Sequence, residues 1–181
     1  MATQSQPAEL GMTAPPFSLR ATDGRTYTLA DVRGAHGVVV AFICNHCPYV
    51  KAALPAMMED VVALRGLGVG FVAINPNDGL AYPEDSYNAM VALADDVALP
   101  FLYLRDETQA VARAYGAVCT PEFFGFDAGL TLRYRGRLDA SRKSAVPQAR
   151  RDLVEAMLDV VLTGNARGEQ FPALGCSIKW R

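Results

Sequence analysis

Six consecutive apolar residues, Val38-Val39-Val40-Ala41-Phe42-Ile43, run directly into Cys44-Asn45-His46-Cys47-Pro48, and this junction constrains the fold more than any other stretch. The run has β-type composition and the length of a buried strand. Beyond it, apolar residues recur at helical spacing (Val50, Leu54, Met57, Val61, Leu64), with Pro48 suited to the first turn. Two thiols two residues apart at a strand-to-helix junction can close a reversible disulfide. Helix amides there stabilise whichever sulfur carries the negative charge.

The rest of the chain extends the α/β pattern. Phe17-Ser18-Leu19 and Tyr27-Thr28-Leu29 flank the turn signal Asp23-Gly24. Pro55 falls inside the helical pattern and predicts a kink, and Gly66 and Gly68 end it. Val69–Ile74 reads as a second buried strand, Asn75–Pro83 as a loop, about Asp85 to Ala94 as a helix, and Phe101–Leu104 as a third strand. Asp106 with Gln109 carries a capping-box signature for a helix ending near Gly116. Phe123–Phe126, Asp127-Ala128-Gly129 and Leu130–Arg135 read as a hairpin whose aromatic residues, with Tyr134, belong to the core. A last helix places Leu153, Met157 and Val161 on one face and stops at Gly164-Asn165. Residues from about 165 to 181 form a short tail with Cys176 and Trp180. Early crossovers and a late hairpin predict a single α/β domain over 1–181: a mixed central sheet, helices on both faces, and an N-terminal β-hairpin extension. The cysteine motif then lies beyond the carboxyl end of a central strand.

Composition narrows the chemistry. With 51% apolar and 20% charged residues, the 181-residue chain reads as soluble and globular, large enough to fold without disulfide staples. A net charge of −2 gives no electrostatic case for nucleic acid or an anionic membrane, and no apolar run reaches membrane-spanning length. Met1–Met12 has neither the basic cluster nor the apolar core of a secretory signal. The four cysteines, Cys44, Cys47, Cys119 and Cys176, are therefore expected as thiols in a reducing cytoplasm. No nucleotide-cradling glycine motif is evident.

Taken with Thr120-Pro121, the Cys-x-x-Cys motif resembles that of the thioredoxin fold. The narrower resemblance is to the thioredoxin-like branch of the redoxin (AhpC/TSA, peroxiredoxin-like) superfamily. It is carried by Ala14-Pro15-Pro16-Phe17-Ser18-Leu19 with Asp23-Gly24, by Phe42 to Val50, by Ile74-Asn75-Pro76-Asn77-Asp78, by Thr120-Pro121-Glu122-Phe123-Phe124 and by Gly175-Cys176-Ser177-Ile178-Lys179-Trp180. The resemblance implies a cis-proline at Pro121 facing the disulfide, with the Thr120 backbone beside an incoming substrate. It implies thiol–disulfide exchange without a cofactor, acting on protein or small-molecule disulfides, with electrons from a thioredoxin or glutathione system. The chain also departs from these families. Ile43 stands where thioredoxins carry Trp, and Val38 replaces their buried acid. Neither cysteine sits in the Pro-x-x-x-Thr-x-x-Cys frame of peroxiredoxins: Val40 and Cys44 precede Cys47 at those positions, and Gly37 and Ala41 precede Cys44. A thiol peroxidase with Cys47 as the peroxide target is thus the second reading.

Cys44, the N-terminal thiol of the pair, is expected to be accessible and to attack, with Cys47 resolving the mixed disulfide. A partly protonated His46 would favour the thiolate; the alternative is a solvated His with little coupling. Cys119 is expected to pack as a small core residue, with a role as an accessory redox thiol near the site as the alternative. Cys176 leaves two readings open, a second resolving thiol on a mobile tail or an inert thiol on a tail pinned by Ile178 and Trp180. Lys51 and the alternating Arg133, Arg135 and Arg137 read as solvated, and His36 as a surface turn residue. A soft-metal chaperone using Cys44, Cys47 and His46 is a third reading, against which stands the lack of a second Cys-x-x-Cys.

Overall fold

Over residues 2–6 and 9–181, described by a computed structural model, the chain forms β1 (Ala2–Gln4), β2 (Ser18–Ala21), β3 (Thr26–Thr28) and α1 (Leu29–Val32). It continues through β4 (Gly37–Phe42), α2 (Pro48–Gly66), β5 (Val69–Asn75), a 3₁₀ turn (Pro83–Asp85), α3 (Tyr87–Asp96), β6 (Leu102–Arg105) and α4 (Ala110–Tyr115). β7 (Cys119–Thr120), β8 (Glu122–Asp127), β9 (Leu132–Gly136), α5 (Asp152–Thr163) and β10 (Leu174–Ser177) complete it.

The central sheet is mixed, as the order of elements predicts. β2 pairs antiparallel with β3, as the hairpin extension, and with β6. β6 runs parallel to β5 across the α3 crossover. β8 lies antiparallel between β4 and β9. β4 runs beside β5, where the Ile43 N–H donates to the Ile74 carbonyl at 3.0 Å. Every residue of β4 is buried, and its alternation serves two cores. Val39 and Ala41 join Met57 and Leu64 of α2 with Leu153 and Met157 of α5. Val38, Val40 and Phe42 face Leu29 and Val32 of α1 and Ala112 and Tyr115 of α4. Each fully buried large side chain contributes about 1.5–3 kcal/mol, so burial on both faces fixes the strand that carries the cysteine motif. No described helix is long and apolar enough to cross a membrane.

α2 continues through Pro55, whose ring nitrogen offers no donor to the Lys51 carbonyl one turn earlier. Asp106 and Gln109 do not make the expected capping box. Gln109 adopts a left-handed conformation (φ 63°), and its side-chain amide donates to the Pro76 and Lys179 carbonyls at 2.7 and 2.8 Å, while Asp106 accepts from the Ala112 N–H at 2.8 Å. Carbonyls of a distant segment have outcompeted the local partner. Arg133 and Arg135 of β9, with Arg137 just beyond it, are not a solvated face. Arg133 pairs with Asp127 at 2.7 Å, Arg135 with the buried Glu122 at 2.9 Å and Arg137 with the buried Asp152 at 2.8 Å. Strand alternation puts all three beside carboxylates that come from other elements.

The expected tail contains β10, held antiparallel between β1 and β7. Beyond it, the Lys179 N–H donates to Asn77 Oδ1 at 2.9 Å, and Arg113 stacks over Trp180 at 4.3 Å. The segment is pinned.

Asp60 on α2 is buried, and burial lifts its carboxyl to about 6 despite its contact with Arg151. An acid raised in the folded state adds stability that is full below pH 4 and lost as pH rises through 6. We expect wild-type stability to fall by about 1–3 kcal/mol across that window relative to Asp60→Asn. Urea melts of both proteins from pH 4 to 7 check this, and parallel pH profiles would refute it.

Candidate active site

The end of β4 and the start of α2 place the two sulfurs. Cys44 follows the strand by two residues, and Cys47 is the N-cap of α2 with Pro48 at the first helical position. Thr120-Pro121 is cis and comes to the same point. Cys44 Sγ lies 3.2 Å from Thr120 Oγ1, and the Cys47 thiol donates to the Thr120 carbonyl at 3.1 Å. The structure thus brings together Cys44, Cys47, Thr120 and Pro121. It does not leave Cys44 accessible: both sulfur residues are 0% exposed. Thr120 stands against Cys44, and the ring nitrogen of His46 and a carboxylate oxygen of Asp85 lie within 4.8 Å of its sulfur.

Asp85 is the residue that sequence reasoning missed. It ends the 3₁₀ turn with 0% exposure and accepts the Asn45 N–H at 2.7 Å, His46 Nδ1 at 2.5 Å and Asn77 Nδ2 at 2.7 Å. Arg105 donates to its backbone carbonyl at 3.1 Å, and Tyr103 Oη donates to Asn45 Oδ1 at 2.9 Å. Both residues between the cysteines are therefore fixed from below. The His46 ring also stacks on Tyr82, with centroids 5.7 Å apart and planes 7° from parallel, so it is not a freely solvated imidazole. In the sequence, Asp85 reads as an ordinary acid near a helix start. Only the convergence of Asn45, His46 and Asn77 reveals a buried carboxylate.

The two thiols of the pair are perturbed in opposite directions. The Cys44 thiol is pushed up, first by its hydrogen bond to Cys47, then by burial and by the charge of Asp85. Cys47 is drawn down to about 5, first by the hydrogen bond from Cys44 and further by the Cys176 side chain and the Val50 and Cys176 amides, against burial. A single negative charge is held better at the helix N-terminus than beside a carboxylate.

Cys119 faces away from the pair. Its side chain is buried, 4.0 Å from Glu122 Oε2, and burial followed by the Glu122 charge pushes its thiol well up. One residue along the strand, Thr120 points to the opposite face. Cys176 pairs directly with Thr120 across β7 and β10, so its side chain shares the face that meets Cys47.

Cys44, His46 and Asp85 offer a sulfur, a nitrogen and an oxygen close enough to hold a metal ion, a set that does not include Cys47. Beside Pro121, a groove of about 180 Å³ is lined by Tyr49, Arg137, Leu138, Phe171 and Leu174.

A model of the AhpC/TSA family matches residues 10–135 of the chain. A crystal structure of an uncharacterized conserved protein from Geobacillus kaustophilus is 43% identical, with a TM-score of 0.93 over 100% of this chain and 97% of that one. The thiol-disulfide oxidoreductase ResA of Geobacillus thermodenitrificans is 29% identical over 125 residues, which cover 69% of this chain and 67% of that protein. The exposed lipoprotein thioredoxin of Streptococcus pneumoniae shares the fold, with a TM-score of 0.60 and 19% identity over 82% of this chain and 98% of that one. The fold is thioredoxin-like.

Proposed function

The chain belongs to the AhpC/TSA family, and from that membership we propose that it is a thiol–disulfide oxidoreductase whose redox couple is Cys44–Cys47. The observation that carries the proposal is the placement of the pair: Cys44 and Cys47 stand at the N-terminus of α2, and both sulfurs touch Thr120, at 3.2 and 3.1 Å. The name of the ResA relative agrees with this reading.

In the structure the Cys47 thiol rests on the Thr120 carbonyl, and its loss of a proton gives the thiolate of the pair, since Cys47 is drawn down and Cys44 pushed up. Exchange breaks the substrate S–S bond, passes through a mixed disulfide with the protein, and ends with a new Cys44–Cys47 bond. Two electrons leave the protein dithiol, and the substrate departs as two thiols. A thioredoxin- or glutathione-type donor in a reducing cytoplasm reverses the change and restores the dithiol. His46 and Asp85 set the charge around the pair, and Thr120-Pro121 with the adjacent groove forms the surface that receives the substrate.

Equilibration in graded thiol–disulfide buffers, followed by peptide mapping, is expected to show a Cys44–Cys47 disulfide that forms and breaks reversibly. Insulin reduction by the protein with a dithiol donor is expected well above the donor alone. Failure of the bond to form under any buffer would overturn the proposal. Peroxide consumption, followed by stopped flow, is expected at background rates, because neither cysteine lies in the peroxide-activating frame.

A further inference from the structure

The two sulfurs of the redox couple are both 0% exposed, so a disulfide in solution cannot meet either directly in this conformation. A third sulfur lies beside them. Cys176 is partly exposed and packs against the core cluster that contains Cys44 and Cys47. Its position follows from the register of β10: Cys176 stands opposite Thr120, the residue that touches both Cys44 and Cys47. The backbone around it is built for close approach. A Cβ on Gly175 would lie 2.0 Å from the Thr120 carbonyl oxygen and 2.5 Å from its carbon. Glycine there lets β10 press against the Thr120-Pro121 segment and brings the next side chain to the sulfurs.

We infer that Cys176 is a relay thiol, the group through which the buried Cys44–Cys47 pair exchanges with disulfides in solution. This rests on the redox reading of Cys44 and Cys47 and adds the route by which substrate electrons reach them. Burial and then Cys47 push the Cys176 thiol up to about 11, so it attacks through a minor thiolate form: it takes one sulfur of a substrate disulfide, the substrate S–S bond breaks, and one thiolate leaves. The Cys47 thiolate then attacks Cys176, forming a Cys47–Cys176 bond and releasing the second substrate thiolate. Cys44 attacks Cys47, closing Cys44–Cys47, and its proton passes to the departing, partly exposed Cys176 sulfur, which returns as a thiol. Three S–S bonds form and three break, counting the substrate's own. The two electrons gained by the substrate are those lost by Cys44 and Cys47.

Two full-length variants and the wild type test this. Cys176→Ser is expected to slow insulin reduction at least about tenfold, while peptide mapping still finds Cys44–Cys47 on oxidation. Cys44→Ser is expected to form an intramolecular Cys47–Cys176 disulfide in the same oxidising buffers. In reduced wild type, a brief pulse of N-ethylmaleimide is expected to label Cys176 before Cys44 or Cys47, a measurement that needs no variant to fold. Wild-type turnover in Cys176→Ser, or first labelling at Cys44 or Cys47, would overturn the relay and leave the Cys44–Cys47 couple standing. Loss of the Cys44–Cys47 bond itself in oxidised wild type would instead remove the reading on which the relay rests.

Discussion

Turnover of protein disulfides is expected to fall to the uncatalysed background in Cys47→Ser, a loss of at least about a thousandfold. Cys47 is the sulfur at the centre of the site. Its sulfur meets the carbonyl of Thr120, the residue that pairs with Cys176 across β7 and β10, and it is the thiol of the pair that is drawn down. Serine keeps the volume and the contact to the Thr120 carbonyl but removes both S–S bonds that the site can make. Cys44→Ser is expected to lose steady turnover as well, because the final bond cannot close, yet to keep an oxidisable Cys47. The two variants therefore differ in what oxidation produces: none of the site's S–S bonds to Cys47 in the first, and Cys47–Cys176 in the second. Insulin reduction with a dithiol donor and peptide maps of each oxidised variant measure both effects. Appreciable turnover by Cys47→Ser would remove the pair from the chemistry.

Asp85→Asn is expected to raise the reduction potential of the Cys44–Cys47 couple by about 20–60 mV. The reduced pair carries a thiolate, whereas the disulfide is neutral. The Asp85 carboxylate lies within 4.8 Å of the Cys44 sulfur and pushes that thiol up, so it acts against the charged, reduced form. The sulfur that ionises lies beyond Cys44, and two charges about 6–12 Å apart interact by about 1–3 kcal/mol at an effective dielectric near 20. Removing the carboxylate charge therefore stabilises the reduced pair and makes the couple a stronger oxidant. Redox titration against glutathione reads the shift directly, with thermal melting to confirm that the Asn45, His46 and Asn77 contacts still support the fold. An unchanged or lower potential would show that Asp85 acts on the motif only as a scaffold.

Local signals carried much of this molecule. Val38–Ile43 declared a strand because six apolar β-formers in a row leave few alternatives, and Pro48 with Val50, Met57, Val61 and Leu64 declared the helix that follows. The aromatic hairpin and the stop at Gly164 were legible for the same reason, each written within a dozen residues. The capping box at Asp106 and Gln109 misled because its partner residues are also local, while the hydrogen bonds that won come from Pro76 and Lys179. β10 was invisible in Leu174-Gly175-Cys176-Ser177, since four residues carry no period and the strand exists only through β1 and β7.

By itself the sequence determined that two thiols stand at a strand-to-helix junction in an α/β domain, because strand burial, helix spacing and proline placement are properties of neighbours along the chain. Only the tertiary structure decided that both sulfurs are buried, and that Asp85 and Cys176 belong with them. Those outcomes depend on distances between residues far apart in sequence: 39 positions separate His46 from Asp85, and 73 separate Cys47 from Thr120. Coulomb energy and desolvation act through space, and no periodicity in one dimension encodes them.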